Sequence, residues 1–139
     1  MTTPQKITTY LWFDGNAEEA FRFYKSVFGG ELTMSTFGDG GMAQNPADQD
    51  KIMHAQLETP AGFTLMASDT PSSMDHKPGN TMSVSLSGDE EGPLKAYWDK
   101  LKEGGTIAMP LEKAPWGDHF GMLTDKFGTP WMVNIAGTR

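Results

Sequence analysis

Histidine is the residue type in this sequence best suited to acid–base chemistry, because imidazole titrates near neutral pH. The chain has three histidines, His54, His76 and His119. His54 and Gln56 lie two residues apart in an alternating segment, so both side chains project from one face of a predicted strand. His76 falls in a turn-rich segment, and His119 begins another strand with the opposite parity. We therefore predict His54 as the catalytic acid–base candidate. The alternative is a strand histidine bonded to a neighbour.

Other catalytic chemistries lack their characteristic residues. Cysteine is absent, which excludes thiolate metal sites, cysteine nucleophiles and disulfides. The sequence has no Gly-x-Ser-x-Gly, His-Glu-x-x-His or P-loop motif. Its one glycine cluster, Gly38 to Gly41, lies in a predicted loop, without the strand-to-helix context of a nucleotide-binding turn.

Length and charge narrow the class of protein. The 139 residues suit one domain, and 18 acidic against 11 basic residues give a net charge of −7. This balance argues against binding nucleic acid or an anionic membrane surface. No apolar run approaches the roughly 18 residues of a membrane span. The opening segment, Met1 to Lys6, lacks the pattern of a secretion signal, so we expect a cytoplasmic location.

The first half of the chain reads as one helix among four strands. The strands are predicted at residues 7–13, 31–37, 51–59 and 63–68, and the helix at residues 17–28. Asn16 is the predicted N-cap of the helix. A loop with three glycines, residues 38–50, separates the second and third strands, and residues 69–79 form a polar linker.

The second half repeats this order. Strands are predicted at residues 81–87, 106–110, 119–124 and 130–135, and a helix at residues 90–102. A shift of 74 places the apolar face of the first helix on that of the second, for example Tyr24 on Trp98. A shift of 66 places the hairpin glycine Gly62 on Gly128. One strand-helix-strand-strand-strand unit used twice explains both shifts.

Strand alternation divides each predicted sheet into a face covered by the helix and an opposite face, here called the distal face. Ile7, Leu11 and Phe13 suit the helix side of the first strand, as Met82, Val84 and Leu86 do in the second half. The candidate ligand-binding residues are those assigned to the distal faces: Tyr10, Trp12, His54, Gln56, Met66, Ser83, Ser85, Phe120, Met122, Met132 and Asn134. Trp131 has core parity, and Trp116 lies in a loop that could cover a ligand or anchor an interface.

Four segments carry a resemblance to a known family: Tyr10 to Ala20 (YLWFDGNAEEA), Ile52 to Ala55 (IMHA), Trp116 to Gly121 (WGDHFG) and Asp125 to Trp131 (DKFGTPW). Together they span nearly the whole chain, which resembles the PhnB-like branch of the vicinal oxygen chelate (glyoxalase/bleomycin-resistance) superfamily. Some members carry the label demethylubiquinone methyltransferase. The resemblance implies an α+β fold of two βαβββ modules in a single domain, residues 1–139, with module one at 6–69, a linker at 70–79 and module two at 80–139. It also implies a homodimer.

The resemblance also provides a test for a metal site. Metal-dependent relatives place a carboxylate four residues after the hairpin glycine, and those positions hold Met66 and Met132. A thioether is a poor ligand for a hard divalent ion. We therefore predict neither a metal site nor another cofactor.

Three functions remain open. The first is metal-independent binding of a small amphipathic or aromatic molecule, for which the bleomycin-resistance members are the precedent. The second is an enzyme, either a metal-dependent lyase or isomerase or a dioxygenase, or one that uses His54 as a general base. The third is a structural or regulatory dimer in which bulky side chains such as Phe120 and Met122 fill the space for a ligand.

Overall fold

A computed structural model describes residues 5–137 of the chain. Residues 1–4, part of the opening segment in which no secretion signal was predicted, and residues 138–139 lie outside the described residues. The chain forms two compact units that meet at Pro78 and Gly79, within the predicted linker. Whether the two units act as a single domain stays a prediction. Within the described range, neither helix is long and apolar enough to cross a membrane.

The N-terminal unit contains a four-stranded mixed sheet with one helix. In chain order its elements are β1 (Thr9–Phe13), α1 (Ala17–Phe28), β2 (Glu31–Thr36), β3 (Ile52–Glu58) and β4 (Thr64–Asp69). The strand order is β1-β4-β3-β2, with β1 parallel to β4 and the other pairs antiparallel. The helix α1 packs against β2, β3 and β4. The predicted loop between β2 and β3 contains one short 3₁₀ turn, Pro46–Asp48.

The C-terminal unit has the same topology. Its elements are β5 (Val84–Gly88), α2 (Glu91–Leu101), β6 (Thr106–Lys113), β7 (His119–Thr124) and β8 (Pro130–Ile135). The strand order is β5-β8-β7-β6, again with one parallel pair, β5 with β8. The helix α2 packs against β5 and β8. The predicted α+β fold of two βαβββ modules is confirmed.

Corresponding positions of the two helices are buried in each unit. The shift of 74 pairs Ala20, Tyr24 and Val27 with Leu94, Trp98 and Leu101, and all six side chains are buried. Burial of these apolar faces against the sheets is the main favourable term in folding each unit. The helix repeat predicted from the sequence is confirmed.

The β3–β4 and β7–β8 hairpins share one pattern of hydrogen bonds. The Thr59 hydroxyl oxygen accepts from the backbone N–H of Phe63 at 3.2 Å. At the position 66 residues later, a carboxylate oxygen of Asp125 accepts from the N–H of Thr129 at 3.0 Å. The second carboxylate oxygen of Asp125 also accepts from the indole Nε1 of buried Trp131, at 2.9 Å.

The strand after each helix follows a glycine that lies against a neighbouring backbone. A Cβ atom on Gly30 would lie 2.0 Å from the carbonyl oxygen of Glu58, and one on Gly105 would lie 2.3 Å from that of Thr124. No side chain fits at these distances, so glycine is needed at both positions. The carbonyl groups, Glu58 and Thr124, are 66 residues apart, the offset of the hairpins, and the two glycines are 75 residues apart.

Asp69 performs the capping role predicted for Asn16. The Asn16 side chain makes no cap hydrogen bond, although α1 starts at the next residue. Instead, one carboxylate oxygen of Asp69 accepts from the N–H groups of Gly15 at 3.0 Å and Ala17 at 2.9 Å. The other accepts from the N–H of Ile52 at 2.8 Å. Because Asp69 is 1% exposed, this carboxylate joins β4, the start of α1 and the start of β3 inside the N-terminal unit. The negative charge also suits the positive end of the helix dipole.

Three strand boundaries differ from the sequence prediction by two residues or more. β1 begins at Thr9, and Ile7, predicted on the helix side, is fully exposed. β5 begins at Val84, so Met82 is exposed rather than buried in the core. β6 continues past Pro110 to Lys113. The strand can contain this proline because it is the edge strand of its sheet and is bulged there. Proline is tolerated at such edges and bulges.

Asp48 attaches the linker to the loop between β2 and β3. Its carboxylate accepts from the Ser72 hydroxyl at 2.8 Å and the Ser72 N–H at 3.1 Å, and it pairs with Lys51 Nζ at 3.1 Å. The Ser72 side-chain hydrogen bond, followed by the contacts with Lys51, lowers the pKa of Asp48 below its ordinary value. This contact therefore depends on an ionised carboxylate.

Candidate functional site

The distal face of the N-terminal sheet brings together the candidates predicted in the first half. Strand register places Tyr10 opposite Met66, Met66 opposite Gln56, and Gln56 opposite Thr33. Along the neighbouring row, Trp12 lies opposite Ser68, and His54 lies opposite Ser35. Residues opposite each other in register share a face, so all five predicted residues, Tyr10, Trp12, His54, Gln56 and Met66, lie on this surface.

Three rings lie together on this face. The Tyr10 ring centroid is 5.6 Å from that of Trp12 and 6.1 Å from that of His54, with tilted ring planes. These distances are typical of favourable aromatic contacts. Tyr10 is 40% exposed and Trp12 is 51% exposed, so part of each ring is available for contact with another molecule. We call Tyr10, Trp12 and His54 the aromatic group.

Polar atoms continue from the aromatic group along β3. His54 Nε2 lies 3.5 Å from Gln56 Oε1, which is long for a hydrogen bond. Either atom could therefore form a shorter bond with a ligand. Gln56 Nε2 donates to Glu58 Oε1 at 2.9 Å. Glu58 was not predicted as part of the site, although its parity on β3 equals that of His54 and Gln56.

The distal face of the C-terminal sheet carries the second set of candidates. One row runs Ser85, Met132, Met122 and Met109, and the next runs Ser87, Asn134, Phe120 and Glu112. Ser85, Phe120, Met122, Met132 and Asn134 therefore lie on one surface, as predicted.

Ser83 lies apart from these rows, because it precedes β5 and is exposed, as is Met82 before it. The prediction began this strand three residues early. The predicted site also lacked Ser87, which occupies the position corresponding to Trp12, and Met109, although both lie within predicted strands. It lacked Glu112 because β6 was predicted to end at Pro110.

A buried carboxylate fixes Asn134 on this second surface. Asn134 Nδ2 donates to Asp118 Oδ2 at 3.1 Å, and the backbone N–H of Gly137 donates to Asp118 Oδ1 at 2.8 Å. Asp118 is buried, and its two side-chain oxygens bind Asn134 at the end of β8 and Gly137 just after it. The sequence carried a signal for this contact only in the segment WGDHFG, in which Asp118 precedes β7.

Trp116 lies in the loop before β7, as predicted. Its ring centroid is 6.1 Å from that of Phe120, and the side chain is 62% exposed. Trp131 is buried, which confirms its predicted core parity. Trp116 therefore extends the apolar part of the second surface beyond the strands.

Each of the three histidines has its own neighbours. His76 Nδ1 lies 3.1 Å from the Thr70 hydroxyl in the linker. His119 lies opposite buried Ile135, on the helix side of its sheet. Across residues 5–137, no group of three or more His, Asp or Glu side chains is arranged to hold a metal ion. Met66 and Met132 occupy central strands, β4 and β8, at the positions where the resemblance implies carboxylates in metal-dependent relatives.

The paired βαβββ units define the class of protein. Solved structures with the same fold include a glyoxalase/bleomycin resistance protein/dioxygenase domain from Frankia sp. EAN1pec, at a TM-score of 0.64 over 99% of this chain and 100% of that one. Sequence identity to that domain is 15%, so this likeness shows the fold alone. The chain has the fold of the glyoxalase/bleomycin resistance/dioxygenase superfamily.

Matches with higher sequence similarity identify the family. The family model described as 3-demethylubiquinone-9 3-methyltransferase matches residues 5–134, and this chain belongs to that PhnB-like family. Protein YjdN from Escherichia coli K12 is 34% identical, over 94% of this chain and 95% of that protein.

Two solved structures are also similar. Protein PA1353 from Pseudomonas aeruginosa has 42% identity and a TM-score of 0.83, over 95% of this chain and 98% of that one. A putative 3-demethylubiquinone-9 3-methyltransferase, PhnB protein, from Bacillus cereus has 32% identity and a TM-score of 0.76, over 95% of this chain and all of that one. The predicted family resemblance is confirmed.

Proposed function

We propose that this protein binds a small aromatic or amphipathic molecule on the distal face of its N-terminal sheet, without a metal ion. The observation that carries the proposal is the aromatic group, in which the Tyr10 ring lies 5.6 Å from Trp12 and 6.1 Å from His54. Partly exposed rings on a rigid sheet offer a surface on which a planar ligand can stack. Gln56, beside His54, adds a hydrogen-bonding amide at the edge of this surface.

Metal-free binding is supported by the chemistry of the central position on this face. Met66 lies between Tyr10 and Gln56 in the strand register. A thioether binds hard divalent ions poorly but packs well against an aromatic ring. The central residue therefore favours contact with an apolar ligand over contact with a cation.

The chemistry in the family description suggests which probes to use. A demethylubiquinone is a substituted quinone, and its reduced form is a hydroxylated aromatic ring. A 4-alkylphenol combines such a ring, a hydroxyl group and an apolar tail in a soluble molecule. A panel of 4-alkylphenols therefore tests the proposed ligand class directly.

The first experiment compares thermal melts of chelator-treated protein with and without this panel. A ligand that binds only the folded state raises the melting temperature in a concentration-dependent way. Tyr10→Ala and Trp12→Ala should each weaken binding about fivefold, since one aromatic contact contributes about 1 kcal/mol. Trp116→Ala is the matched control, because Trp116 is an exposed tryptophan of the other unit.

The alternatives give different results. Binding or turnover that appears only after a divalent metal is added would favour the metal-dependent enzyme. No stabilisation by any member of the panel, with or without metal, would favour a structural or regulatory role. His54→Ala separates binding from acid–base catalysis, because a binding protein keeps most of its affinity while an enzyme loses turnover.

A homodimer is also part of the proposal. The N-terminal sheet ends in the edge strands β1 and β2, and exposed Trp12 lies on β1. Edge strands and exposed apolar side chains favour association with a second copy. Light scattering on the purified chain would give twice the chain mass for a dimer, and the chain mass alone would contradict it.

A further inference from the structure

We infer that the ligand is a hydrogen-bond donor, and that Glu58 selects it by fixing the orientation of the Gln56 side-chain amide. Gln56 and Asn134 are the amides on the distal faces of the two sheets. Each is hydrogen-bonded through its nitrogen to a carboxylate, Gln56 to Glu58 and Asn134 to Asp118. The inference rests on the proposed ligand binding and specifies the chemistry of the ligand.

A carboxylate is what sets the orientation of each amide. An ionised carboxylate has only acceptor atoms, whereas an amide has a donor nitrogen at one end and an acceptor oxygen at the other. Gln56 can bond Glu58 only through Nε2, at 2.9 Å, so its oxygen turns toward His54. Asn134 can bond Asp118 only through Nδ2, at 3.1 Å, so its oxygen is the free end.

The same argument extends to the tautomer of His54. The group facing Gln56 Oε1 is His54 Nε2, at 3.5 Å. Since an amide oxygen only accepts, a neutral His54 with its proton on Nε2 is favoured, and its Nδ1 is then an acceptor. Through Gln56, Glu58 thus places two hydrogen-bond acceptors, Gln56 Oε1 and His54 Nδ1, at the proposed site.

The chemical consequence is a preference between two forms of one ligand. A phenol donates a hydrogen bond to an amide oxygen, whereas its methyl ether has no proton to donate. A site with unpaired acceptors should therefore bind 4-ethylphenol about three- to tenfold more tightly than 4-ethylanisole, the value of one net hydrogen bond. Glu58 is a positioning residue in this account, because it acts through the Gln56 amide.

Glu58 offers a reversal that leaves the core intact, because its side chain is exposed. Glu58→Lys places a donor where the carboxylate was, so the Gln56 amide should turn and present its nitrogen. The ratio of the affinity for 4-ethylphenol to that for 4-ethylanisole should then fall to about one or below. Glu103→Lys is the matched control. Glu103 is exposed in the other unit, so it takes the same charge change away from the Gln56 bond.

The experiment measures both ligands by fluorescence titration of the wild type, Glu58→Lys and Glu103→Lys, together with ¹⁵N NMR of the free proteins. The expected result is a phenol preference lost only in Glu58→Lys, and an imidazole ¹⁵N pattern of the Nε2-protonated form in the wild type. Equal affinity for phenol and ether in the wild type would overturn the inference and leave the proposed binding intact. If neither compound binds, the proposed function fails. The inference about orientation is then decided by NMR, where a Gln56 NH₂ signal that does not respond to titration of the Glu58 carboxylate would overturn it.

Discussion

Replacing Asp69 should destabilise the protein more than almost any other single substitution of a polar residue. The carboxylate is 1% exposed and accepts three backbone N–H bonds, from Gly15, Ala17 and Ile52. In Asp69→Ala these donors lose their acceptor. The bonds from Ala17 and Ile52 are buried, and leaving a buried donor unpaired costs about 1–3 kcal/mol. We therefore expect a loss of about 4 kcal/mol in the free energy of unfolding, near the upper end for single substitutions.

Asp69→Asn tests whether the number of acceptors explains this loss. The amide keeps one acceptor oxygen for Gly15 and Ala17 but directs its NH₂ group at the Ile52 N–H. One bond is lost and the charge at the start of α1 disappears, so the expected cost is about 2–3 kcal/mol. Asp75→Asn is the control, because that carboxylate is exposed and lies 4.0 Å from Lys77. Its effect should stay within about 0.5 kcal/mol.

The assay is urea denaturation followed by circular dichroism, in which the midpoint and slope give the free energy of unfolding. A loss of less than about 1 kcal/mol in Asp69→Ala would refute the reasoning, since it would mean that water or other groups replace the lost acceptor. Equal losses in the alanine and asparagine variants would show that charge, rather than the number of accepted hydrogen bonds, dominates.

Three further predictions concern other contacts of the fold. The pKa of Asp48 is lowered, chiefly by the Ser72 hydrogen bond, so the stabilising contribution of Asp48 is present above pH 3.8 and is lost as the pH falls through the lowered pKa. The plot of unfolding free energy against pH should therefore be flatter below pH 3.8 in Asp48→Asn than in the wild type. Gly30→Ala should lower the free energy of unfolding by at least about 2 kcal/mol, because the new Cβ would lie 2.0 Å from the Glu58 carbonyl oxygen. Gly92→Ala in α2 has open space and should raise it by about 0.5 kcal/mol. Urea midpoints that move the same way in both variants would contradict this. Trp131→Phe keeps most of the packing but leaves an oxygen of Asp125 without its indole donor, so unfolding should become easier by about 1–3 kcal/mol, and a melting temperature equal to that of the wild type would contradict the contact.

The fold could be predicted because its pattern occurs twice. The helix faces at Tyr24 and Trp98 and the hairpin glycines at Gly62 and Gly128 each gave a signal that the other half reproduced. Strand parity then placed Tyr10, His54 and Gln56 on one face, since period-two alternation is a local property of the chain. These features depend on near neighbours in the sequence, which is why they could be read from it.

The parts that could not be predicted depend on contacts between distant residues. Nothing around Asp69 indicates that its carboxylate reaches Gly15 and Ala17, more than 50 residues away. The alternation around Ser83 is equally good whether β5 begins at Thr81 or at Val84, so its pairing with β8 decides where the strand begins. Glu58 reads as a solvent-facing strand residue until its hydrogen bond to Gln56 is known.

The central claim is that the aromatic group binds a small aromatic molecule without a metal, and an NMR titration tests it most directly. Chelator-treated, ¹⁵N-labelled protein is titrated with 4-ethylphenol, and the shifted backbone and side-chain signals are assigned. The account predicts saturable shifts concentrated at Tyr10, Trp12, His54 and Gln56, which remain unchanged when Zn²⁺ or Ni²⁺ is added. Shifts confined to other residues, or shifts that appear only with the metal present, would contradict it.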